Sequence, residues 1–309
     1  MDEVNQLLLY GFKARKIMSK TPRAKVDGAR SRAMTAISAI DTRSTRLHFT
    51  QKPGLVVYVT CGDPNLAATR EIVLAAVRAG ADVVELGVPF SDPVADGPVI
   101  QRASERALKN GASLQNVLDL AAEIRKQCDA GLVIFSYLNP VLRFGLEHFC
   151  EHAKRSGVDG ALITDLTVEE AGEYRRLMHA YGLDTIFLAA PTSPDQRLKH
   201  IAQACGGFVY AVSRTGVTGT RDQLTGDAAA LVKRIRKHTK LPVAVGFGIS
   251  NHQQFAEVGR FADAAVVGSA IVKTIEANPR HEATAVADLI KRLKGESANG
   301  GATSATSPI

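Results

Sequence analysis

Short apolar runs recur along this chain at 55–60, 82–86, 132–137, 160–164, 184–189, 207–212, 242–246 and 264–267. They are rich in Val, Ile, Leu and Ala and do not alternate with polar residues. A half-exposed strand alternates, so continuous runs of this length fit parallel strands covered on both faces. Between them, apolar residues at helical spacing mark 70–79, 114–125, 146–156, 169–181, 195–204, 226–238 and 252–258. Eight strand–helix units in one chain predict an α/β fold, a (β/α)8 TIM barrel, over 34–296. A doubly wound open sheet is the competing arrangement, but no G-x-G-x-x-G follows the first run.

The flanks lack this periodicity. Residues 1–33 hold eight basic residues against three acids. The expectation is a basic leader, either disordered or a mis-assigned start with Met34 as the alternative. Residues 297–309 are mostly Ser, Ala, Gly and Thr without an apolar face, the composition of a disordered tail. The leader carries five of the seven net positive charges, which leaves the barrel body nearly neutral. A nucleic-acid surface would need a basic face on the domain itself, so that class is set aside. No apolar stretch is long enough to span a membrane. Cys61, Cys128, Cys150 and Cys205 are scattered without a C-x-x-C. Free thiols in a reducing, cytoplasmic compartment fit better than a disulfide frame or a zinc site.

In a barrel of this kind chemistry is built where strands end. The first run ends in T-C-G-D-P (60–64), the third in Y-L-N-P (137–140) and the fourth in T-D-L-T (164–167). The second carries the sharpest signal, V-V-E-L-G-V-P-F-S-D-P-V-A-D-G-P-V-I-Q (83–101). Glu85 stands at the end of an apolar strand, where desolvating a carboxylate is costly. Asp92 and Asp96 follow in a loop stiffened by Gly and Pro. The last three runs lead into S-R-T-G-V-T-G, G-F-G-I-S and V-V-G-S-A. Gly219, Gly248 and Gly268 let backbone N–H groups approach an anion, and Ser269 opens a helix whose positive end faces it. A phosphate cup is expected there. No Lys lies on strands five to seven to form a Schiff base. The eight histidines fall mostly in helical segments and give no metal-ligand set. The reactive groups left are carboxylates and Tyr210, which points to cofactor-free acid–base chemistry on a phosphorylated substrate.

These segments, from E-L-G-V-P-F-S-D-P-V-A-D-G-P-V-I-Q to V-V-G-S-A-I-V, closely resemble the tryptophan synthase alpha chain over about 53–294. The resemblance implies retro-aldol cleavage of indole-3-glycerol phosphate to indole and glyceraldehyde 3-phosphate. It makes Glu85 the acid–base residue, with Asp96 accepting the indole N–H and Tyr210 beside the catalytic Glu. It also implies that Tyr58, Ile100 and Leu162 pack the indole, that Thr218 lies in a closing loop, and that Gly219, Phe247, Gly248, Gly268 and Ser269 hold substrate at the phosphate end. No metal is implied, and no cofactor in this chain. Pyridoxal phosphate belongs to a beta chain, met through Pro89 and Asp92 in an alpha2-beta2 heterotetramer to which indole passes directly. Thr164 and Thr167 depart from a Pro-Asp-Leu-Pro run of many relatives, which questions the rigidity of that loop. Residues 34–52 match the family's N-terminal helix poorly, and 1–33 have no counterpart. The alternatives are a stand-alone indole-3-glycerol-phosphate lyase and a non-catalytic regulatory barrel subunit. Other phosphate barrels would need metal-binding histidines or catalytic lysines.

Overall fold

A computed structural model describes residues 46–212, 221–246 and 248–296. The leader 1–33 and the tail 297–309 lie outside the described residues. The strands are β1 (Gly54–Thr60), β2 (Val83–Gly87), β3 (Gly131–Ser136), β4 (Gly160–Ile163), β5 (Asp184–Ile186), β6 (Leu188–Ala189), β7 (Val209–Val212), β8 (Val243–Gly246) and β9 (Ala264–Val267). All are parallel and form one sheet in the order β5-β4-β3-β2-β1-β9-β8-β7-β6. β5 and β6 are the two halves of the predicted run 184–189, interrupted at Phe187. One half pairs with β4 and the other with β7, so this run closes the sheet into a barrel. The break is bridged by Gly206 N–H donating to the Thr185 carbonyl at 2.7 Å and Tyr210 N–H to that of Phe187 at 3.3 Å.

The helices are α1 (Leu66–Arg78), α2 (Pro98–Lys109), α3 (Leu114–Arg125), α4 (Leu138–Phe144), α5 (Leu146–Arg155), α6 (Gly172–Ala180), α7 (Asp195–Ala204), α8 (Arg221–Ile235), α9 (His252–Val258), α10 (Ser269–Ala277) and α11 (Glu282–Lys294). α2, α4, α10 and α11 fall outside the spans predicted from spacing, although the glycine motif does predict a helix opening at Ser269. α2 has a start signal in Pro98, whose missing N–H costs nothing in the first turn. Other starts are capped by local chemistry, as where the Asn65 side chain accepts from Ala68 N–H at 2.8 Å.

Strand alternation divides the core in two. Leu55, Val57, Val59, Val84, Leu86, Leu132 and Ile134 face the helices. Val56, Val83, Val133, Leu162, Ile186, Phe208 and Ala264 face inward and fill the barrel. Leu47 plugs its N-terminal mouth. A Cβ on Gly131 or Gly207 would stand 2.9 or 2.5 Å from the Leu47 side chain, so glycine is what makes room for the plug.

Three aspartates brace the same end. Asp82, Asp159 and Asp263 each sit one residue before a strand. Each carboxylate accepts the N–H of Leu55, Leu132 or Val243 at 2.8–2.9 Å. Each backbone N–H donates to the carbonyl of that same residue at 2.9–3.0 Å. Asp159, 3% exposed, also receives Arg125 at 2.7 Å. Truncating one partner of such a buried pair leaves the other charge uncompensated. Asp159→Ala is therefore expected to lower stability by about 3–5 kcal/mol. Urea unfolding of the two proteins checks this; a loss within the ordinary surface range would contradict it.

Candidate active site

The candidate site is a rim built from inward positions at the C-terminal ends of the strands. Glu85 points inward on β2, in register with Tyr58 of β1 on one side and Val133 of β3 on the other. It is 1% exposed, and its Oε1 has no hydrogen-bond partner. Burial alone raises its pKa to about 8, so at neutral pH it is mostly a protonated acid. Two residues on, Gly87 leaves space that the Tyr58 ring occupies; a Cβ there would collide with the phenol. Gly246 does the same for Tyr210, whose hydroxyl would lie 2.7 Å from an added Cβ.

Asp96 hangs over this rim from the loop between β2 and α2. Burial raises its pKa to about 6, opposed by a hydrogen bond from Tyr137. The phenol of Tyr210 on β7 is pushed up by burial, then by the charges of Glu85 and Asp96. Tyr58 is pushed up by burial and then by Asp96. Each tyrosine thus stays neutral, and Tyr210 senses both carboxylates across one interior.

The apolar part of the rim adjoins these acids. Tyr58 packs in a small cluster with Ile100 of α2 and Val272 of α10. Phe135 of β3 meets Tyr58 edge-on, with ring centroids 5.1 Å apart. Leu162 is fully buried in the inner layer, in register with Phe135. The sequence motifs singled out Tyr58, Ile100 and Leu162 but not Phe135. Strand alternation carries the missing signal, since Phe135 lies two residues from inward-facing Val133.

On the opposite side, β7, β8 and β9 are neighbours in that order. Gly248 follows β8 with φ +76°, a backbone state that side chains rarely adopt. Gly268 precedes α10, and a Cβ on it would lie 3.5 Å from that of Tyr58. Gly268 and exposed Ser269 therefore put the positive end of α10 next to the aromatic subsite. Thr218, Gly219 and Phe247 lie outside the described residues. A polar strut ties this helix to α2 and to the loop after β1. Arg106 of α2 makes a bidentate pair with buried Asp63 at 2.8 Å and reaches Glu276 of α10, also at 2.8 Å.

A paired-acid rim beside a small-residue rim, in this order on a parallel barrel, is one arrangement among many that barrels host. Sequence comparison decides between them. A sequence model of the tryptophan synthase alpha chain matches residues 45–300. The chain belongs to the tryptophan synthase alpha chain family. The alpha chain of Solibacter usitatus is 53% identical over 227 residues, 74% of this chain and 85% of that one. The alpha chain of Neisseria meningitidis serogroup B is 47% identical over 241 residues, covering 78% and 92%. The structure of the tryptophan synthase complex from Pyrococcus furiosus superimposes with a TM-score of 0.72 at 37% identity, covering 79% of this chain and 99% of that one. The tryptophan synthase alpha chain catalyses the cleavage of indole-3-glycerol phosphate, and by membership this chain is a carbon–carbon lyase of amino-acid biosynthesis.

Thr164 and Thr167 are bonded into place. Thr164 donates its N–H to the Ser136 carbonyl at 2.9 Å and its hydroxyl to the same oxygen at 3.3 Å. Thr167 bonds Glu170 at 3.1 Å, and Asp165 accepts Leu138 N–H at 2.7 Å. Hydrogen bonds fasten this turn. In the acidic loop Asp92 is exposed while Pro89 is buried.

Proposed function

We propose that Glu85 and Asp96 carry out the cleavage as a neutral acid and a charged acceptor. The observation that carries this is the pairing of an unpartnered, buried Glu85 with a more acidic Asp96 in one interior. Glu85 donates its proton to C3 of the indole ring. The positive charge that develops on the ring nitrogen is met by Asp96, in a site poor in water where such charges interact strongly. Glu85, now a carboxylate, takes the proton of the glycerol hydroxyl next to the ring. The carbon–carbon bond breaks, its electron pair returns to the ring, and indole and glyceraldehyde 3-phosphate leave. Glu85 ends protonated, so the cycle closes without an added base. Tyr210 borders both acids. Tyr58, Ile100 and Leu162 pack the indole, with Phe135 beside them. Gly248, Gly268 and Ser269, together with Thr218, Gly219 and Phe247, take the phosphate end.

In this reading residues 34–296 form the catalytic unit, and pyridoxal phosphate resides in a beta chain that receives the indole. The relative from Pyrococcus is a tryptophan synthase complex, which supports an assembled form here. Exposed Asp92 is available to such a partner, with Pro89 shaping the loop beneath. Cys61, Cys128, Cys150 and Cys205 are free thiols, in keeping with a cytoplasmic alpha2-beta2 enzyme. Among the described residues no helix is long and apolar enough to cross a membrane.

The test is indole release from indole-3-glycerol phosphate by the purified chain, alone and with its cognate beta chain loaded with pyridoxal phosphate. Slow release alone and a marked gain on mixing are expected. No release in either mixture would overturn the reaction. Release without any gain would overturn the partnership and leave a stand-alone lyase.

A further inference from the structure

Tyr137 takes no part in these proton transfers, yet its hydroxyl makes two hydrogen bonds to the acidic loop. It stands at the end of β3, 3% exposed. Its oxygen accepts Ala95 N–H at 2.9 Å, which leaves the phenolic hydrogen free to point elsewhere. That hydrogen is donated to Asp96 Oδ2 at 3.0 Å. The ring is held against Phe90, centroids 5.2 Å apart. The residue after it is pinned by the Asp165 carboxylate accepting Leu138 N–H. The loop backbone is fastened on its far side, where the Gln101 amide donates to the Asp96 carbonyl at 2.8 Å. Both neighbours of the Asp96 carboxyl group are therefore fixed, and one of its two oxygens is spoken for.

We propose that Tyr137 is a positioning residue whose phenol holds Asp96 aimed and ionised as the acceptor for the substrate's ring N–H. The assignment rests on the reaction proposed above, in which Asp96 takes that N–H. The groups around Asp96 give Tyr137 this part. Tyr58 from β1 and Tyr210 from β7 both feel its charge, and Tyr210 also feels Glu85. Asp165 acts on Tyr137 from the β4 side, and Asp92 lies exposed in the same loop. Among the described residues no cation is paired with Asp96. Burial works against its charge, and the Tyr137 hydrogen bond is the effect that works for it. A hydrogen bond to a charged group is among the stronger ones, so its loss is felt in both geometry and ionisation.

The experiment follows the Asp96 carboxyl by carbon-13 NMR titration of the substrate-free protein, so its outcome does not depend on turnover. In Tyr137→Phe the Asp96 titration should move up by about one pH unit. The acid limb of kcat/KM for indole release should move with it, and kcat/KM near neutral pH should fall about tenfold or more. An unmoved titration overturns the proposal. If Tyr137→Phe fails to fold, ring-fluorinated tyrosine incorporated throughout keeps the shape and strengthens the donor. The Asp96 titration should then move down, and no movement overturns the proposal equally. Failure of the reaction itself reads differently, as absence of indole release from the unaltered protein.

Discussion

Glu85→Gln is expected to leave the barrel folded and to lower indole release by about three orders of magnitude or more, because general acid–base catalysis by a placed side chain is worth about 10²–10⁴ and the proposed reaction uses Glu85 in two proton transfers. Glutamine keeps the shape and one hydrogen-bond acceptor but has no proton to give to C3. A second effect has the opposite sign and is measured on the same protein. Burial raises the pKa of Glu85 from 4.5 to about 8. Between those two values the folded chain holds a proton that the unfolded chain has released. Stability therefore falls as pH rises across that window and is lowest above about 8, where a charge is forced into the barrel. A tenfold change in acidity corresponds to about 1.4 kcal/mol, so the penalty at high pH is on the order of several kcal/mol. Glutamine removes it. The variant should melt above the parent protein at pH 9 and together with it at pH 4. Loss of turnover with no pH-dependent gain in melting temperature would mean that Glu85 is not held neutral by burial.

This trade locates the active site in energetic terms. A carboxyl with an unpartnered oxygen in a dry interior weakens the fold as its proton leaves, and the compensation comes from the surrounding barrel. The brace of Asp82, Asp159 and Asp263 with neighbouring strands, and the apolar layers on both faces of the sheet, lie at the other end and between strands and helices. The reactive rim and the stabilising rim are thus opposite ends of the same strands.

Much of this arrangement is legible in the sequence, and the residues explain why. Uniform apolar runs identify buried parallel strands because both faces are covered. Glu85 stands out for the same reason, since a carboxylate at an otherwise apolar strand end is costly to desolvate. Gly248 is legible as a turn and has the positive φ that a turn there requires. The break at Phe187 is not, because 186–189 is apolar throughout and pairing changes partner inside it without changing composition. Phe135 and Tyr137 are hidden by the opposite effect. Aromatic residues near a strand end belong to the ordinary strand pattern, and only alternation relative to Val133 and the position of a distant loop separate them from core. Tyr137 meets Asp96 across 41 positions of sequence, a pairing that no local pattern encodes. α2 escapes the spacing pattern because its apolar residues are few and set among charges, while its packing depends on α10, far along the chain.

Asp96→Asn should lower kcat/KM at neutral pH by about 10²–10³, the range for removing one preorganised electrostatic partner of a developing charge. The pH profile makes the test sharper than the rate. Asp96 must be ionised to meet the positive ring, and its pKa is about 6; Glu85 must be protonated to act, and its pKa is about 8. The free enzyme is therefore competent between those values, and kcat/KM should trace a bell with its maximum near pH 7. The acid limb belongs to Asp96 and the alkaline limb to Glu85. Asparagine does not titrate, so the variant should lose the acid limb and keep the alkaline one, with activity level below pH 7 down to where the fold itself fails. An acid limb that survives near pH 6 in Asp96→Asn would assign that ionisation to another group and remove Asp96 from the reaction.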